Sequence, residues 1–414
     1  MHILFLSDNF PPEVNAPASR TFEHCREWVA AGHEVTVITT APNFPKGKLL
    51  DGYRNRLIQK EEIAGIRVVR VWSYIAANEG AAKRLVDYVS FAVTGSIAGL
   101  FVRRPDVIVA TSPQWFTSWA GCFIGAVRRR PWIFELRDIW PESIRTVGAM
   151  SNGRVFRWLE RIELFLYRRA AAVVSVTHSF RENLASRGIR ADKIAVVTNG
   201  ADLGRYSPRP KDAELVRDLG LEGKFVAGYI GTHGMAHALE TLLEAARLIA
   251  ARPDGDRYRF VLLGDGAEKA RLVARAAEMG VSSVLFLDTV PKDEVARYWS
   301  LLDASIVHLK DTPLFRTVIP SKLFECMAMG LPILLGVRGE SAEMVEREGV
   351  GLTFAPESAE ALVEAVVGLA DDAERRAGMQ RRGPAAARKY DRRELAQRMA
   401  GLLENVAAGR ALSA

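Results

Sequence analysis

The sequence holds few cysteines and lacks the short motifs of several common enzyme classes. Its three cysteines stand far apart, at positions 25, 122 and 326, and no CxxC pair occurs. This usage favours a reducing cytoplasm and argues against a structural zinc site. No HExxH, EF-hand loop, GxSxG or GxxxxGK[ST] pattern is present, so zinc-protease, calcium-sensor, serine-hydrolase and P-loop chemistry are unsupported. Met1–Leu6 runs straight into Asp8, which favours a first β-strand over a secretory signal.

Acidic charge is scarce in the first half of the chain. Residues 1–200 carry 27 Lys and Arg against 18 Asp and Glu, whereas the remaining residues carry 29 against 31. A basic half attached to a nearly neutral half indicates an anionic partner, such as nucleic acid, anionic lipid or a phosphorylated acceptor. Nucleic acid is the weakest of these, because the chain lacks a recognition motif and a dense stripe of aromatic and basic residues.

One long apolar stretch, Leu85–Val102, approaches the length of a membrane span, with two basic residues on each side. Asp87 and several Ser, Thr and Gly residues interrupt it, so we expect a helix packed on a sheet. A helix lying in the membrane surface is the main alternative. A second basic helix is predicted over Arg154–Arg169, and its arginines form either a solvated face or a contact with a bilayer.

Strand and helix patterns alternate along the whole chain, which predicts parallel sheets covered on both faces. We predict an α/β protein with two doubly wound domains, residues 1–200 and residues 208–388. In the C-terminal segment, residues 389–414, a last helix at about Arg392–Ala407 could close either domain, including by crossing back to the first. The predicted strands are Ile3–Ser7, Glu34–Thr39, Arg67–Val71, Asp106–Ala110, Trp132–Leu136, Ala172–Val176, Ile194–Val197, Phe225–Ile230, Phe260–Leu263, Val284–Leu287, Ala304–Leu309, Ile333–Leu335 and Gly351–Phe354. Ligands of such sheets bind beyond the carboxyl ends of the strands.

The most informative segment is Pro-Ser-Lys-Leu-Phe-Glu-Cys-Met-Ala-Met-Gly-Leu-Pro, residues 320–332. Ser321 can cap a short helix, Lys322–Met329, which Gly330 ends. A helix start together with the charge of Lys322 can hold phosphate, and Glu325 can accept hydrogen bonds from a ribose diol. The pattern therefore fits a nucleotide diphosphate, although an ordinary capped helix would look the same.

Polar loops after predicted strands supply further candidates. Arg137 and Asp138 follow Trp132–Leu136, and they either pair with each other or handle an acceptor hydroxyl. Gly231-Thr-His-Gly resembles a turn that cradles phosphate. Gly264-Asp-Gly more simply turns a strand into a helix. The loop from Asp8 to Arg20 is as plausibly structural as functional. His178 is predicted to end another strand, and a lone histidine of this kind is usually structural.

Taken together, the chain resembles the retaining glycosyltransferases of family 4, which have the GT-B fold of two Rossmann-like domains facing across a cleft. The resemblance covers nearly the whole chain, and it rests on the order and spacing of several motifs across both domains. The Pro-Asn-Phe-Pro-Lys-Gly run at 42–47 and the Trp-Pro-Glu motif are most like a bacterial subgroup that makes O-antigen, capsule and colanic acid, including L-fucosamine-type amino-deoxysugar transferases. Its other motifs are Phe10-Pro-Pro-Glu, Gly32-His-Glu-Val-Thr-Val-Ile-Thr, Asp138-Ile-Trp-Pro-Glu-Ser, Asn199-Gly-Ala-Asp, Leu263-Gly-Asp-Gly and Pro320-Ser-Lys-Leu-Phe-Glu.

The resemblance implies a UDP-sugar donor in the second domain, carrying an N-acetylhexosamine or a deoxy-amino sugar. Glu325 matches the second glutamate of the family's E-x7-E motif and is expected on the ribose, but Thr317 stands in place of the first. The implied donor-binding residues are Gly231, Thr232, His233, Arg316, Thr317, Ser321, Lys322 and Glu325. Neither a metal nor another cofactor is expected.

For the first domain, the resemblance implies that Asp138 and Arg137 act on the sugar or the acceptor, with no nucleophile role for Asp138. Asn15, Arg20 and His178 are the candidate acceptor contacts. The expected acceptor is a polyprenyl-diphosphate saccharide, bound by an enzyme that is peripheral on the cytoplasmic face of the inner membrane and does not bind nucleic acid. Two alternatives remain: a nucleotide-sugar epimerase of the same fold, and a non-catalytic scaffold of a membrane-associated assembly.

Overall fold

The structure is a computed structural model that describes residues 1–44, 47–75, 81–112, 114–140 and 153–412. The chain forms two compact units. The first unit comprises Met1–Thr198 and Arg392–Ala414, and the second comprises Asn199–Asp391. Both have the predicted class, a mostly parallel sheet with helices on its faces. The Trp-Pro-Glu motif at 140–142 lies mostly outside the described residues, as does part of the run at 42–47.

The first unit is built on an eight-stranded sheet in the order β3-β4-β2-β1-β5-β6-β7-β8. All neighbours are parallel except β3 and β4, which form an antiparallel pair at the edge. The strands are β1 (His2–Leu6), β2 (Glu34–Thr40), β3 (Ile58–Ile63), β4 (Ile66–Val71), β5 (Val107–Thr111), β6 (Trp132–Leu136), β7 (Ala172–Ser175) and β8 (Ile194–Val196). Its helices are α1 (Ala16–Ala30), α2 (Ala81–Phe101), α3 (Trp115–Arg128), α4 (Gly153–Arg169) and α5 (His178–Ser186).

The second unit has a six-stranded parallel sheet in the order β11-β10-β9-β12-β13-β14. Its strands are β9 (Phe225–Ile230), β10 (Tyr258–Leu263), β11 (Val284–Leu287), β12 (Ala304–His308), β13 (Ile333–Gly336) and β14 (Gly351–Thr353). Its helices are α6 (Ala213–Asp218), α7 (Glu240–Ala250), α8 (Lys269–Glu278), α9 (Val295–Trp299), α10 (Lys322–Met329), α11 (Glu340–Glu348), α12 (Ala359–Asp371) and α13 (Ala373–Ala387).

The last helix, α14 (Arg392–Ala407), packs within the first unit. The indole N–H of Trp28 in α1 donates to the carbonyl of Ala396 at 2.8 Å. Leu395, Met399 and Leu403 enter the same buried core as β1, β2 and β5. The chain thus leaves the first unit after β8, forms the second unit, and returns.

The two faces of the first sheet are covered by different helices. Trp28 of α1 lies 6.1 Å, centroid to centroid, from Phe5 of β1, so α1 and α14 cover one face. Tyr167 of α4 packs on Phe134 of β6 at 4.8 Å, on the opposite face. Helices α2 and α3 lie on that same opposite face: a Cβ atom at Gly95 would be 3.7 Å from Ile38, and one at Gly121 would be 2.6 Å from Ala110.

Helix α10 of the second unit is held closely by α13. A Cβ atom at Gly383 would lie 2.8 Å from the carbonyl oxygen of Met327, so glycine permits this close approach. Gly330 ends α10 in the left-handed conformation at φ 67°, as predicted. The prediction that Ser321 caps this helix was wrong. Its side chain makes no capping hydrogen bond, because Ser321 already has helical backbone angles.

The apolar stretch at 85–102 is largely contained in α2, which packs on the sheet as expected. Among the described residues, no helix is both long and apolar enough to cross a membrane.

Candidate functional site

The strand order of the second sheet reverses at β9, which lies between β10 and β12. In open parallel sheets such a reversal leaves a crevice beyond the carboxyl ends of the strands, where ligands bind. The segment Gly231–Gly234 follows β9, and the segment that leads to α10 follows β12. The fold therefore brings the two most informative sequence motifs of this unit to one edge of the sheet.

Lys322, the first residue of α10, reaches back to β9. Its Nζ atom lies 3.4 Å from the centroid of the Tyr229 ring, a cation–π contact. A Cβ atom at Gly231 would lie 2.7 Å from Nζ, so the missing side chain leaves room for the ammonium group. Nζ is buried and has no hydrogen-bond partner among the described residues. A desolvated cation of this kind is a strong point of attachment for an anion.

Burial lowers the pKa of Lys322 to about 7, against the opposing effects of Cys326 and Glu325. The ammonium form is disfavoured because its surroundings replace water without supplying hydrogen-bond acceptors. A phosphate placed against Nζ would supply both the negative charge and the acceptors, and would restore the charged form. Lys322 is therefore poised to bind an anion.

Three glycines bring the loops after β9 and β10 into contact. A Cβ atom at Gly264 would lie 1.9 Å from the carbonyl oxygen of Gly231, and one at Gly266 would lie 2.5 Å from that of His233. The backbone N–H of His233 also donates to the carbonyl of Asp265 at 2.8 Å. Gly264-Asp-Gly, predicted as a turn from strand to helix, does lead to α8. It also supports the candidate phosphate loop.

Two histidines lie beside the lysine and are held neutral. Burial, then the charges of Lys269 and Lys322, lower the pKa of His233 to about 4. His233 is fully buried, and neither ring nitrogen has a hydrogen-bond partner among the described residues. Burial and Lys322 lower the pKa of His237 to about 3. A neutral imidazole can still donate one hydrogen bond to a phosphate oxygen. Sequence reasoning missed His237, which lies in a short turn after the glycine-rich loop.

The remaining predicted donor residues lie near the start of α10, and they differ in exposure and in the hydrogen bonds that they already make. Arg316 is half exposed and donates to Asp311 at 3.1 Å, and Arg338 donates to the other oxygen of the same carboxylate. Any contact between Arg316 and phosphate would compete with Asp311. The hydroxyl of Thr317 donates to the carbonyl of Leu314 at 2.7 Å. The Thr317 hydroxyl therefore already has an acceptor within its own turn. Glu325 is partly exposed in the first turn of α10.

In the first unit, the strand order reverses between β1 and β5. The hydroxyl oxygen of Ser112, just after β5, accepts hydrogen bonds from the backbone N–H groups of Arg137, at 2.8 Å, and Asp138, at 3.3 Å. Ser112 thus fixes the turn after β6. Burial raises the pKa of Asp138 to about 6, opposed by Arg137, and burial lowers the pKa of Arg137 to about 10. Both side chains remain charged at neutral pH.

Acidic side chains from two other elements meet near this edge. Burial, then the charges of Asp87 and Glu13, raise the pKa of Asp8 well above its usual value. Burial also raises the pKa of Asp87, on α2, to about 6. No local sequence pattern connects Asp87 to Asp8, because the two positions are 79 residues apart and only the fold brings them together.

Two domain families match the chain. The glycosyl transferase 4-like domain matches residues 15–200, and the glycosyl transferases group 1 domain matches residues 224–372. The chain belongs to the glycosyltransferases. The two matches correspond to the two structural units, and together they account for most of the sequence.

One relative matches this glycosyltransferase over nearly its whole length. WcaI of Escherichia coli (strain K12), assigned to colanic acid biosynthesis as a glycosyl transferase, is 26% identical over 378 residues. The aligned region covers 88% of this chain and 91% of the relative.

Solved structures show that the glycosyltransferase has the GT-B fold. Sucrose-phosphate synthase from Thermosynechococcus elongatus superposes with a TM-score of 0.77 at 17% identity, covering 99% of each chain. Anabaena HepE in complex with UDP and glucose superposes with a TM-score of 0.72 at 19% identity, covering 97% of this chain and 99% of HepE. At these identities the likeness establishes the fold.

Two of the three predicted acceptor contacts of the glycosyltransferase, Arg20 and Asn15, already make structural hydrogen bonds. The guanidinium group of Arg20 is buried, pairs with Glu135 at 3.0 Å and donates to the carbonyls of Val197 and Thr198. These bonds give Arg20 a structural role within the first unit. The side chain of Asn15 caps α1 by accepting from the N–H of Ala18 at 2.9 Å. The prediction that His178 ends a strand was wrong. His178 begins α5, where its side chain is exposed.

Within the described parts of the glycosyltransferase, no group of three or more His, Cys, Asp or Glu side chains is placed to hold a metal ion.

Proposed function

We propose that the enzyme is a retaining, metal-independent glycosyltransferase of bacterial surface polysaccharide synthesis. It moves a sugar from a UDP-sugar to a lipid-linked saccharide on the cytoplasmic face of the inner membrane. The extended match to WcaI, whose name refers to colanic acid, supports the polysaccharide pathway. The complex of HepE with UDP and glucose supports a UDP-linked donor.

The observation that carries the donor site is the buried, unpartnered ammonium group of Lys322. In this proposal, Nζ binds the diphosphate, with His233 and the backbone of Gly231 and Thr232 beside it. Glu325, one turn into α10, accepts hydrogen bonds from the ribose hydroxyls. Two N–H groups of the first turn, on Leu323 and Phe324, already donate to Pro320 and Ser321. Lys322 therefore contributes more of the phosphate attraction than the helix start does.

The donor sugar is an N-acetylhexosamine or a deoxy-amino sugar. The family resemblance supports this assignment, and Thr317 marks where the sugar contact differs from the common pattern. Threonine offers one hydroxyl where a glutamate would offer two anionic oxygens. The sugar is consequently held more weakly at this position, and the adjacent Arg316 is assigned to the donor phosphate.

The proposed reaction needs no covalent enzyme intermediate. The acceptor oxygen forms a bond to the anomeric carbon on the face from which the diphosphate departs, and the bond from carbon to phosphate oxygen breaks. The acceptor proton passes to the departing phosphate. Negative charge that develops on the phosphate is stabilised by Lys322, which costs little reorganisation because the cation is already in place. Asp138 and Arg137 position the sugar or the acceptor.

The acceptor is a saccharide on a polyprenyl diphosphate. The excess of basic residues in the first 200 positions supports an anionic, membrane-borne substrate. The proposal places the enzyme at the membrane surface, without a nucleic-acid partner.

The deciding experiment is donor turnover by the purified protein in the presence of EDTA. UDP-N-acetylglucosamine is supplied with and without lipid-linked saccharides extracted from polysaccharide-producing bacterial membranes. The proposal predicts UDP release that depends on the lipid extract, with retention of anomeric configuration in the product by NMR. Sugar conversion without any acceptor would instead indicate an epimerase, and loss of turnover in EDTA would contradict the metal-independent mechanism.

A further inference from the structure

Helix α2 exposes an apolar stripe on the side away from the sheet. Phe91 and Gly95 face inward and are buried, whereas exposed apolar residues recur at every fourth position from 85 to 101 on the outer side, with Val86 next to the first of them. Ile97 is 52% exposed and Phe101 is 82% exposed. The stripe consists of Leu85, Val86, Val89, Val93, Ile97 and Phe101.

Helix α3 continues the exposed apolar surface beside α2. The two helices are in close contact: a Cβ atom at Gly99 would lie 2.3 Å from Ile124, and the Arg128 guanidinium donates to the carbonyl of Val102 at 3.1 Å. On α3, Phe123 and Val127 are spaced four residues apart and are about half exposed. The apolar surface therefore extends across two neighbouring helices.

Helix α4 adds aromatic and basic residues to the same layer. Phe165 stacks on Trp119 of α3 with a centroid distance of 6.0 Å and remains about half exposed. Trp158, seven residues earlier and on the same side of the helix, is 61% exposed. Two exposed arginines lie beside this aromatic strip: Arg157 directly precedes Trp158, and Arg161 is one helical turn before Phe165.

We propose that the outward faces of α2, α3 and α4 form the docking surface for an anionic lipid bilayer. The proposal rests on the proposed function, and it assigns the membrane contact to a defined face. Isolated apolar side chains are common on protein surfaces, but a contiguous apolar area across several helices usually marks an interaction site. The bilayer boundary accepts apolar side chains, favours tryptophan, and attracts arginine and lysine to its anionic headgroups.

A second copy of the chain fits this face less well than a bilayer does. In a two-fold symmetric dimer the same patch lies on both sides of the interface. The basic residues around the patch, including Lys83, Arg157 and Arg161, would then approach those of the partner copy, and like charges would repel. An anionic bilayer instead offers the opposite charge and an apolar interior at the same surface.

The test is cosedimentation of the full chain with phosphatidylcholine vesicles, prepared with and without phosphatidylglycerol. The wild-type protein is expected to bind the anionic vesicles and to dissociate as salt is raised. Val93→Asp combined with Ile97→Asp should lower the partition coefficient about tenfold or more, because two inserted apolar groups are replaced by charges.

Matched controls separate membrane docking from folding. Val273→Asp places the same charge on α8, at a similarly exposed position of the second unit, and should leave vesicle binding unchanged. Arg157→Glu with Arg161→Glu should remove the preference for phosphatidylglycerol. All variants are expected to bind UDP as the wild-type protein does, measured by calorimetry.

Equal vesicle binding by the wild-type protein and the Val93→Asp, Ile97→Asp variant would overturn the proposal. So would a wild-type dimer, seen by sedimentation velocity, that this variant converts to a monomer without any vesicle binding in either protein. Wild-type protein that binds UDP but no vesicles would refute the docking face alone. Wild-type protein that binds anionic vesicles but no UDP would support the face and count against the transferase.

Discussion

The ammonium group of Lys322 lies 3.4 Å from the centre of the Tyr229 ring, with no other partner for its hydrogens within the described structure. The contact joins the first residue of α10 to strand β9, so the cation stands where the sheet order reverses. An aromatic face attracts a cation but supplies no hydrogen-bond acceptor of the strength that a phosphate offers. Burying this ammonium group therefore costs free energy when the site is empty, and a bound anion would offset that cost.

Lys322→Met is expected to raise the thermal stability of the ligand-free protein. Burial lowers the folded-state pKa of Lys322 from 10.5 to about 7. Below about pH 7 the lysine is protonated in both states, and the folded protein bears the full cost of burying the charge, on the order of a few kcal/mol. Methionine keeps the length of the side chain and packs well on an aromatic ring.

The stability gain should depend on pH in one direction. Between the two pKa values the folded protein has lost the proton while the unfolded chain still binds it, so the wild-type protein becomes more stable as pH rises. The advantage of Lys322→Met should therefore be largest at about pH 6 and fall to roughly half or less at about pH 9, measured by thermal unfolding. Lys224→Met, at a lysine that donates to the carbonyl of Asp256, is the control. An advantage that grows with pH would contradict the assignment.

Gly264→Ala should disrupt the phosphate loop and the second unit. A Cβ atom at this position would lie 1.9 Å from the carbonyl oxygen of Gly231, and the backbone has φ +146°. The loops must separate, so UDP binding should be lost and the unfolding free energy should fall by about 2 kcal/mol or more. Gly368→Ala on α12 is the control, because its Cβ atom would meet nothing within 4 Å, and it should be neutral or stabilising. Normal UDP affinity in Gly264→Ala would refute this role of the loop.

Arg20→Met should destabilise the first unit instead of weakening acceptor binding alone. The buried pair with Glu135 would lose its cation, which leaves a carboxylate buried with less compensation and costs about 3 kcal/mol or more. Arg26→Met on the same helix removes a partly exposed arginine paired with Glu27 and should change stability by less than about 1 kcal/mol. Urea unfolding compares the two. An unchanged midpoint for Arg20→Met would show that its bonds to Glu135 and the backbone contribute little.

Glu325→Gln should weaken nucleotide binding by about tenfold, because a ribose hydroxyl then donates to a neutral oxygen instead of a carboxylate. Glu343→Gln, at an exposed position in the first turn of α11, is the matched control and should bind UDP normally. Calorimetry with UDP and with inorganic pyrophosphate distinguishes the ribose contact from a phosphate contact. A loss of affinity for pyrophosphate as large as that for UDP would remove Glu325 from the ribose.

The sequence was sufficient for most of the fold because buried parallel strands are short apolar runs with helices between them. It missed β3, Ile58–Ile63, whose alternately exposed residues Ile-Gln-Lys-Glu-Glu-Ile at the edge of the sheet do not form such a run. It also missed α13, since Gly378, Gly383 and Pro384 are poor helix formers. Tertiary packing stabilises α13 in spite of these residues, because the small residue Gly383 lets it approach α10 closely.

The candidate site was predictable only where one short segment carried several features. Lys322 and Glu325 lie together in the first turn of α10, so their spacing was informative. Tyr229 and His237 come from a buried strand and a short turn, and no local pattern connects them to Lys322. The same limit applies to Arg20: its partner Glu135 is distant in sequence, and the guanidinium has a structural role that a loop motif could not reveal.

The most direct test of the account is calorimetric titration of the purified protein and of Lys322→Met with UDP, GDP and ADP, with and without EDTA. The account predicts that wild-type protein binds UDP best, that EDTA has no effect, and that Lys322→Met weakens UDP binding by about tenfold to a hundredfold. Near pH 8, wild-type binding should also take up a proton, seen as a dependence of the heat on buffer ionisation, because phosphate raises the pKa of Lys322. Equal UDP affinity in the two proteins, or no binding of any of the three nucleotides, would contradict the central claim that Lys322 holds the donor diphosphate.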